Sequence, residues 1–145
     1  MRKLILEKLQ EIEERENIKI LHCVESGSRA WGFASPDSDY DVRFIYVRPK
    51  EFYLRLDKTR DVIEWQLDDT LDINGWDIDK TLTLLHTSNP SLFEWNSSPI
   101  VYKTTDELKQ NYTKQSTPYS ETLIFHPVPQ ATDITIGMII YHMRY

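Results

Sequence analysis

Two aspartates one residue apart, Asp39 and Asp41, follow a Gly27-Ser28 dipeptide after ten intervening residues. Residues two apart on a strand project from one face, so these carboxylates are expected to stand side by side. Like charges that close repel unless a cation lies between them. Magnesium ions (or manganese) meet that need, because hard cations take oxygen ligands and keep positions open for phosphate oxygens. Arg43 continues on the same face and brings a guanidinium suited to phosphate charge. A glycine at a strand-to-helix turn lets backbone approach a ligand, and the amides after Gly27, with the Ser28 hydroxyl, suit a phosphate. Either part alone says little, since Gly-Ser is common and Asp-Xaa-Asp usually marks a turn or a solvated surface. Their conjunction at strand ends, in this order, points to metal-assisted phosphate chemistry.

These side chains need elements to hold them. Residues 3–15 read as an amphipathic helix, with Ile5, Leu9 and Ile12 at helical spacing, Glu7, Lys8, Glu11 and Glu14 facing water, and Asn17 as the stop. Residues 18–24 read as a strand with Ile18, Ile20, His22 and Val24 on one face, His22 being a packed histidine. A second strand is expected over 39–47, ended by Pro49, then a short helix or irregular connection over 51–56 and strands over 61–67 and 70–74. Asp77 reads as the N-cap of a helix carrying Ile78, Leu82 and Leu85. Asn89-Pro90 ends that helix and opens a short one carrying Leu92, Phe93 and Trp95, which Ser97-Ser98-Pro99 breaks. Thr104-Thr105-Asp106-Glu107 has the form of a capping box opening a helix near Leu108. The order of helix, strands and helices implies an α+β fold with a mixed sheet flanked by helices. We divide the chain into a main domain over 1–115 and an atypical or truncated segment over 116–145, where Pro118, Pro127 and Pro129 intervene. The apolar run 134–141 reads as an added strand or as an interface for a second copy or a partner protein.

With 145 residues, 40% hydrophobic and 28% charged, the chain has the profile of a folded cytoplasmic domain without a membrane anchor. A net charge of −6 argues against a broad basic face for nucleic acid, yet leaves room for a nucleotide whose cations offset clustered acids. The lone Cys23 reads as a buried thiol, and His86, His126 and His142 lack zinc-ligand spacing. Trp65, Trp76 and Trp95 read as packing residues, whereas Trp31 suits either packing or a base.

Gly27-Ser28-Arg29-Ala30-Trp31-Gly32 followed by Ser38-Asp39-Tyr40-Asp41-Val42 resembles the signature of the polymerase-beta nucleotidyltransferase superfamily. The longer run closely resembles predicted bacterial nucleotidyltransferases related to those linked with RNA repair. Leu71-Asp72-Ile73-Asn74-Gly75-Trp76-Asp77, Ser88-Asn89-Pro90, Leu92-Phe93-Glu94-Trp95 and Ser98-Pro99-Ile100-Val101-Tyr102 look like that group too. The resemblance implies a polymerase-beta-type fold in which Asp39 and Asp41 ligate magnesium carrying a nucleoside triphosphate. It also implies a third carboxylate on a neighbouring strand, for which Asp72 is chosen, with Glu64, Asp68 and Asp69 as further candidates and Asp77 fitting better as a cap. Gly27, Ser28, Arg29, Ser38 and Arg43 would then bind the nucleotide. The implied reaction moves a nucleoside monophosphate to an acceptor, either RNA, a small molecule or a protein, and releases pyrophosphate. The alternatives are an inactive nucleotide-binding module or an antitoxin-like partner protein, because related chains continue into a further helical region.

Overall fold

The computed structural model describes residues 1–105 apart from 36, 58 and 69, and residues 66–68 through their backbone alone. The helix expected near Leu108, His126, His142 and the segment 116–145 with its apolar run lie outside the described residues. Met1–Thr104 is one unit. It opens with α1 (Arg2–Glu16), which buries the expected stripe of Ile5, Leu9 and Ile12 and ends at Asn17 in the left-handed conformation, φ 50°. Then come β1 (Lys19–Ser26), β2 (Tyr40–Val47), α2 (Lys50–Tyr53), β3 (Val62–Asp68), β4 (Leu71–Asp77), α3 (Ile78–His86), α4 (Pro90–Ser97) and β5 (Val101–Thr104).

The five strands form one sheet in the order β3-β4-β2-β1-β5. β2 and β4 are parallel, and every other neighbouring pair is antiparallel. Period-two alternation on β2 sorts its side chains cleanly. Val42, Phe44 and Tyr46 join Ile5, Leu9 and Ile12 of α1, with Leu71 and Ile73 of β4, in the larger core. Ile45 faces the other way, into a second cluster with Val24 and with Leu92 and Trp95 of α4. Asp41 and Arg43 share the side of Ile45 by the same alternation, so the acidic face is the one covered by α3 and α4. The mixed sheet with helices against it is the expected α+β class.

Two local features set the packing. Phe44 lies opposite Gly75 in the β2–β4 register, and a Cβ on Gly75 would overlap the Phe44 ring. Trp76 of β4 stacks on Trp95 of α4 with centroids 3.8 Å apart, tying that helix to the sheet. Trp65 is half-buried against the larger core, so the packing expected for these three tryptophans is found.

The structure departs from the sequence expectation in three places. The β1–β2 register shifts between Ile20 and His22, so Ile20 and Cys23 face the α1 core while Val24 faces the second cluster. One apolar face running through Ile18, Ile20, His22 and Val24 is therefore broken by a bulge. β4 extends to Asp77 rather than ending at 74. Thr104 closes β5, a strand that was not expected and that pairs with β1, while the capping box expected from Thr104 onward runs outside the described residues. His22 is buried with Nδ1 3.3 Å from Thr104 Oγ1, and burial lowers its pKa to about 4. Burial also pushes the Cys23 thiol well above its usual value.

Candidate active site

β1 ends at Ser26, and the chain turns at Gly27 with φ +74°, a conformation glycine adopts without a side-chain penalty. The turn is closed by Ala30 N–H donating to Gly27 O at 3.2 Å and Phe33 N–H donating to Ser28 O at 3.0 Å. Ser26 pairs with Asp41 across the β1–β2 ladder. As a result the Asp41 carboxylate packs directly on Gly27, so closely that a Cβ there would overlap Asp41 Oδ2. The serine-bearing turn and the acid of β2 are thus neighbours, although fourteen positions separate Gly27 from Asp41 (41 − 27). The Ser26 hydroxyl reaches Glu94 Oε1 of α4 at 3.3 Å.

Asp72 is the in-register partner of Asp41 on the parallel strand β4, so the two carboxylates leave the sheet side by side. A single nitrogen of Arg43 bridges them, with Nη2 3.0 Å from Asp41 Oδ1 and 2.8 Å from Asp72 Oδ2. Nη1 of the same guanidinium donates to the carbonyls of Val42 at 3.2 Å and Asp72 at 3.3 Å. Two like charges on adjacent strands are held together here by a cation from their own strand face.

Asp39 lies one residue before β2 rather than on it, and its side chain is exposed. Its carbonyl accepts from Arg29 Nε at 3.0 Å, as does the carbonyl of Ser38. Arg29 stacks over the Tyr40 ring at 3.9 Å and also reaches Ser38 O through Nη2. This guanidinium braces the far end of the loop against its near end. The Ser38 hydroxyl accepts from Ser35 N–H at 2.8 Å within the turn before β2. Trp31 and Phe33 stand exposed on the same loop. Of the remaining acids, Glu64 forms an exposed ion pair with Arg60 at 3.2 Å, and the side chains of Asp68 and Asp69 lie outside the described residues. Asp77 caps α3 by accepting from Asp79 N–H at 3.0 Å, and Tyr53 hydroxyl donates to it at 3.2 Å. It is a helix cap at the opposite end of β4 from Asp72.

Among the described residues no three of His, Cys, Asp and Glu are gathered closely enough to hold a metal by themselves. Asp41 and Asp72 are nevertheless suited to a divalent cation. Both present hard oxygen donors to one point, and that point already holds the positive nitrogen of Arg43 as a stand-in. The bare Gly27 backbone is what lets the Asp41 carboxylate stand against the turn.

Sequence reasoning did not find Glu25. It is a fully buried carboxylate whose Oε1 accepts the backbone N–H of Asp41 at 2.8 Å. The only signal was an acid at the end of an otherwise apolar run.

The model of the RNA repair pathway DNA polymerase beta family matches residues 1–127. The chain is 48% identical over 135 residues to uncharacterized protein YcgL of Bacillus subtilis (strain 168). The match covers 90% of this chain and 51% of YcgL, so the chain spans about half the length of that relative. No solved structure matches.

Proposed function

Because the chain belongs to the RNA repair pathway DNA polymerase beta family, we propose that it is a nucleotidyltransferase that moves a nucleoside monophosphate from a triphosphate to an acceptor hydroxyl. The observation that carries the reading is the meeting of Asp41, Asp72 and Arg43 against the Gly27 turn. In this reading Asp41 and Asp72 hold magnesium or manganese, with Asp39 at the rim as a further oxygen donor. The cation supplies charge neutralisation for the triphosphate. The amides after Gly27 and the Ser28 hydroxyl bind phosphate oxygens, and Arg43 adds positive charge beside them. Arg29 and Ser38 act mainly by shaping the loop that carries these groups.

The acceptor oxygen forms a bond to the α-phosphorus as the bond to the pyrophosphate oxygen breaks. The acceptor proton passes to a carboxylate of the acidic set or to solvent. Nothing in this chemistry needs a covalent enzyme intermediate, so catalysis rests on positioning and on stabilised charge. RNA is the favoured acceptor, because the family belongs to an RNA repair pathway.

The test is incubation of the full chain with α-labelled triphosphates, magnesium or manganese, and RNA, small-molecule or protein acceptors. Label transfer with pyrophosphate release, lost in Asp41→Ala and Asp72→Ala, is the expected result. Absence of transfer, with triphosphate binding unchanged in both variants, would remove the reading. A second reading is a nucleotide-binding module without turnover, favoured by Arg43 already bridging the two carboxylates. It predicts triphosphate binding with no pyrophosphate release under any cation.

A further inference from the structure

Glu25 lies outside the groups assigned above, and its surroundings are unusual for a charged side chain. It is fully buried, with Cys23 and Val24 before it in β1 also buried. Burial raises its pKa, since an ionised carboxyl is costly away from water. Packing alone would be served better by an apolar residue of similar size. Instead both oxygens are engaged. Oε1 accepts from Asp41 N–H at 2.8 Å, and Oε2 accepts from the Tyr102 hydroxyl at 2.5 Å. The main chain of Glu25 is gripped as well. Its N–H donates to Ile100 O at 2.9 Å, and its carbonyl accepts from Ser98 Oγ at 2.5 Å.

The location explains the arrangement. Ser26 is the last residue of β1, and past it the chain leaves the sheet for the Gly27 turn. Asp41 sits opposite that departure point, where the β1 backbone no longer continues as a ladder. A side-chain acceptor reaching forward from Glu25 holds the Asp41 amide where the strand is about to lose its neighbour. Displacement of the Asp41 main chain would move its carboxylate relative to both Gly27 and Asp72.

We propose that Glu25 is a positioning residue: with Tyr102 it fixes the Asp41 backbone so that the Asp41 carboxylate stands between Gly27 and Asp72, ready for a divalent cation. The inference rests on the cation-binding reading given under the proposed function. It assigns β5 a task, because Tyr102 and its neighbours are what hold Glu25 in place.

The test measures Mn2+ binding by the full chain, alone and with α,β-methylene-ATP, using electron paramagnetic resonance of the free ion. Glu25→Ala is expected to weaken Mn2+ binding by about tenfold or more, in the range for groups that orient a metal ligand. Glu25→Gln keeps an oxygen for the Asp41 amide and an N–H for the Tyr102 oxygen, so it is expected to restore binding to within about threefold of the unsubstituted chain. Tyr102→Phe, which removes a single hydroxyl, covers the case in which Glu25→Ala does not fold and is expected to fall between the two. Ile12→Ala, in the core under α1, controls for lost stability and is expected to bind Mn2+ normally. Normal binding by Glu25→Ala, or by Tyr102→Phe where Glu25→Ala is unfolded, would overturn the proposal. So would equal losses in Glu25→Ala and Glu25→Gln, or in Glu25→Ala and Ile12→Ala. If the unsubstituted chain binds no Mn2+, the cation-binding reading falls first and this inference falls with it.

Discussion

The Asp41 carboxylate occupies the space that a side chain at Gly27 would need. That contact joins the turn after β1 to the acid of β2. Gly27→Ala should therefore act twice. The left-handed backbone at φ +74° costs an alanine about 1 kcal/mol, and the new methyl displaces Asp41. We expect a modest fall in the urea midpoint together with a much larger loss of Mn2+ and triphosphate binding. A loss of stability with binding intact would show that the contact does not matter to the site.

Arg43 is expected to behave as an internal counter-ion. Removing it in Arg43→Ala leaves Asp41 and Asp72 facing each other, at a cost of about 1 kcal/mol, kept small because the Asp72 side chain is 45% exposed. Millimolar magnesium or manganese should then raise the melting temperature of Arg43→Ala more than that of the unsubstituted chain. Equal shifts in the two proteins would place the cation elsewhere.

His22 supplies a pH signature. Its folded pKa is lowered to about 4 from 6.5 by burial, so between those values the unfolded chain takes up a proton that the folded chain refuses. Stability from this group is intact above about pH 6.5 and is lost as pH falls toward 4, by up to about 3 kcal/mol. Glu25 and Asp77, whose carboxyl pKa values are raised by burial, act in the opposite direction over part of this range. The comparison is therefore between the unsubstituted chain and His22→Gln, in urea titrations from pH 7 to about 4. The variant should lose less stability on acidification; parallel curves would contradict the assignment.

Trp95 is buried and stacked on Trp76. Trp95→Ala should cost about 3–5 kcal/mol, as large core truncations do, and should shift the Trp76 emission to longer wavelength as water reaches it. Because α4 also carries Glu94 to the Ser26 hydroxyl, a rise in mobility at the turn is expected as well. A loss below about 1 kcal/mol would mean that α4 is held mainly by other contacts.

Much of this architecture was legible from local pattern. The α1 stripe follows from Ile5, Leu9 and Ile12, the α3 cap from Asp77, and the α4 start from Asn89-Pro90, whose side chain accepts from Ser91 and Leu92 N–H. Asp72 stands on a strand face whose polar pattern shows in the sequence, and the parallel register places it beside Asp41. What escaped depends on contacts distant in sequence. β5 has four residues, too few for a period to declare itself, and exists because β1 offers an edge. The bulge after Ile20 leaves no trace in an apolar run, where either face looks acceptable. Glu25 was passed over because an acid beside Ser26 reads as the solvated end of a strand. The Asp41 amide and the Tyr102 hydroxyl, both distant in sequence, turn it inward.

The parallel pairing of β2 with β4 has a consequence for biosynthesis. Its two acids come from strands separated by α2 and β3, so neither a hairpin nor any shorter fragment assembles them. A polypeptide emerging from the ribosome exposes Asp39 and Asp41 well before Asp72 is available. It gains its paired acids only once β4 has slotted in beside β2, so the pairing is a late event in the life of the nascent chain.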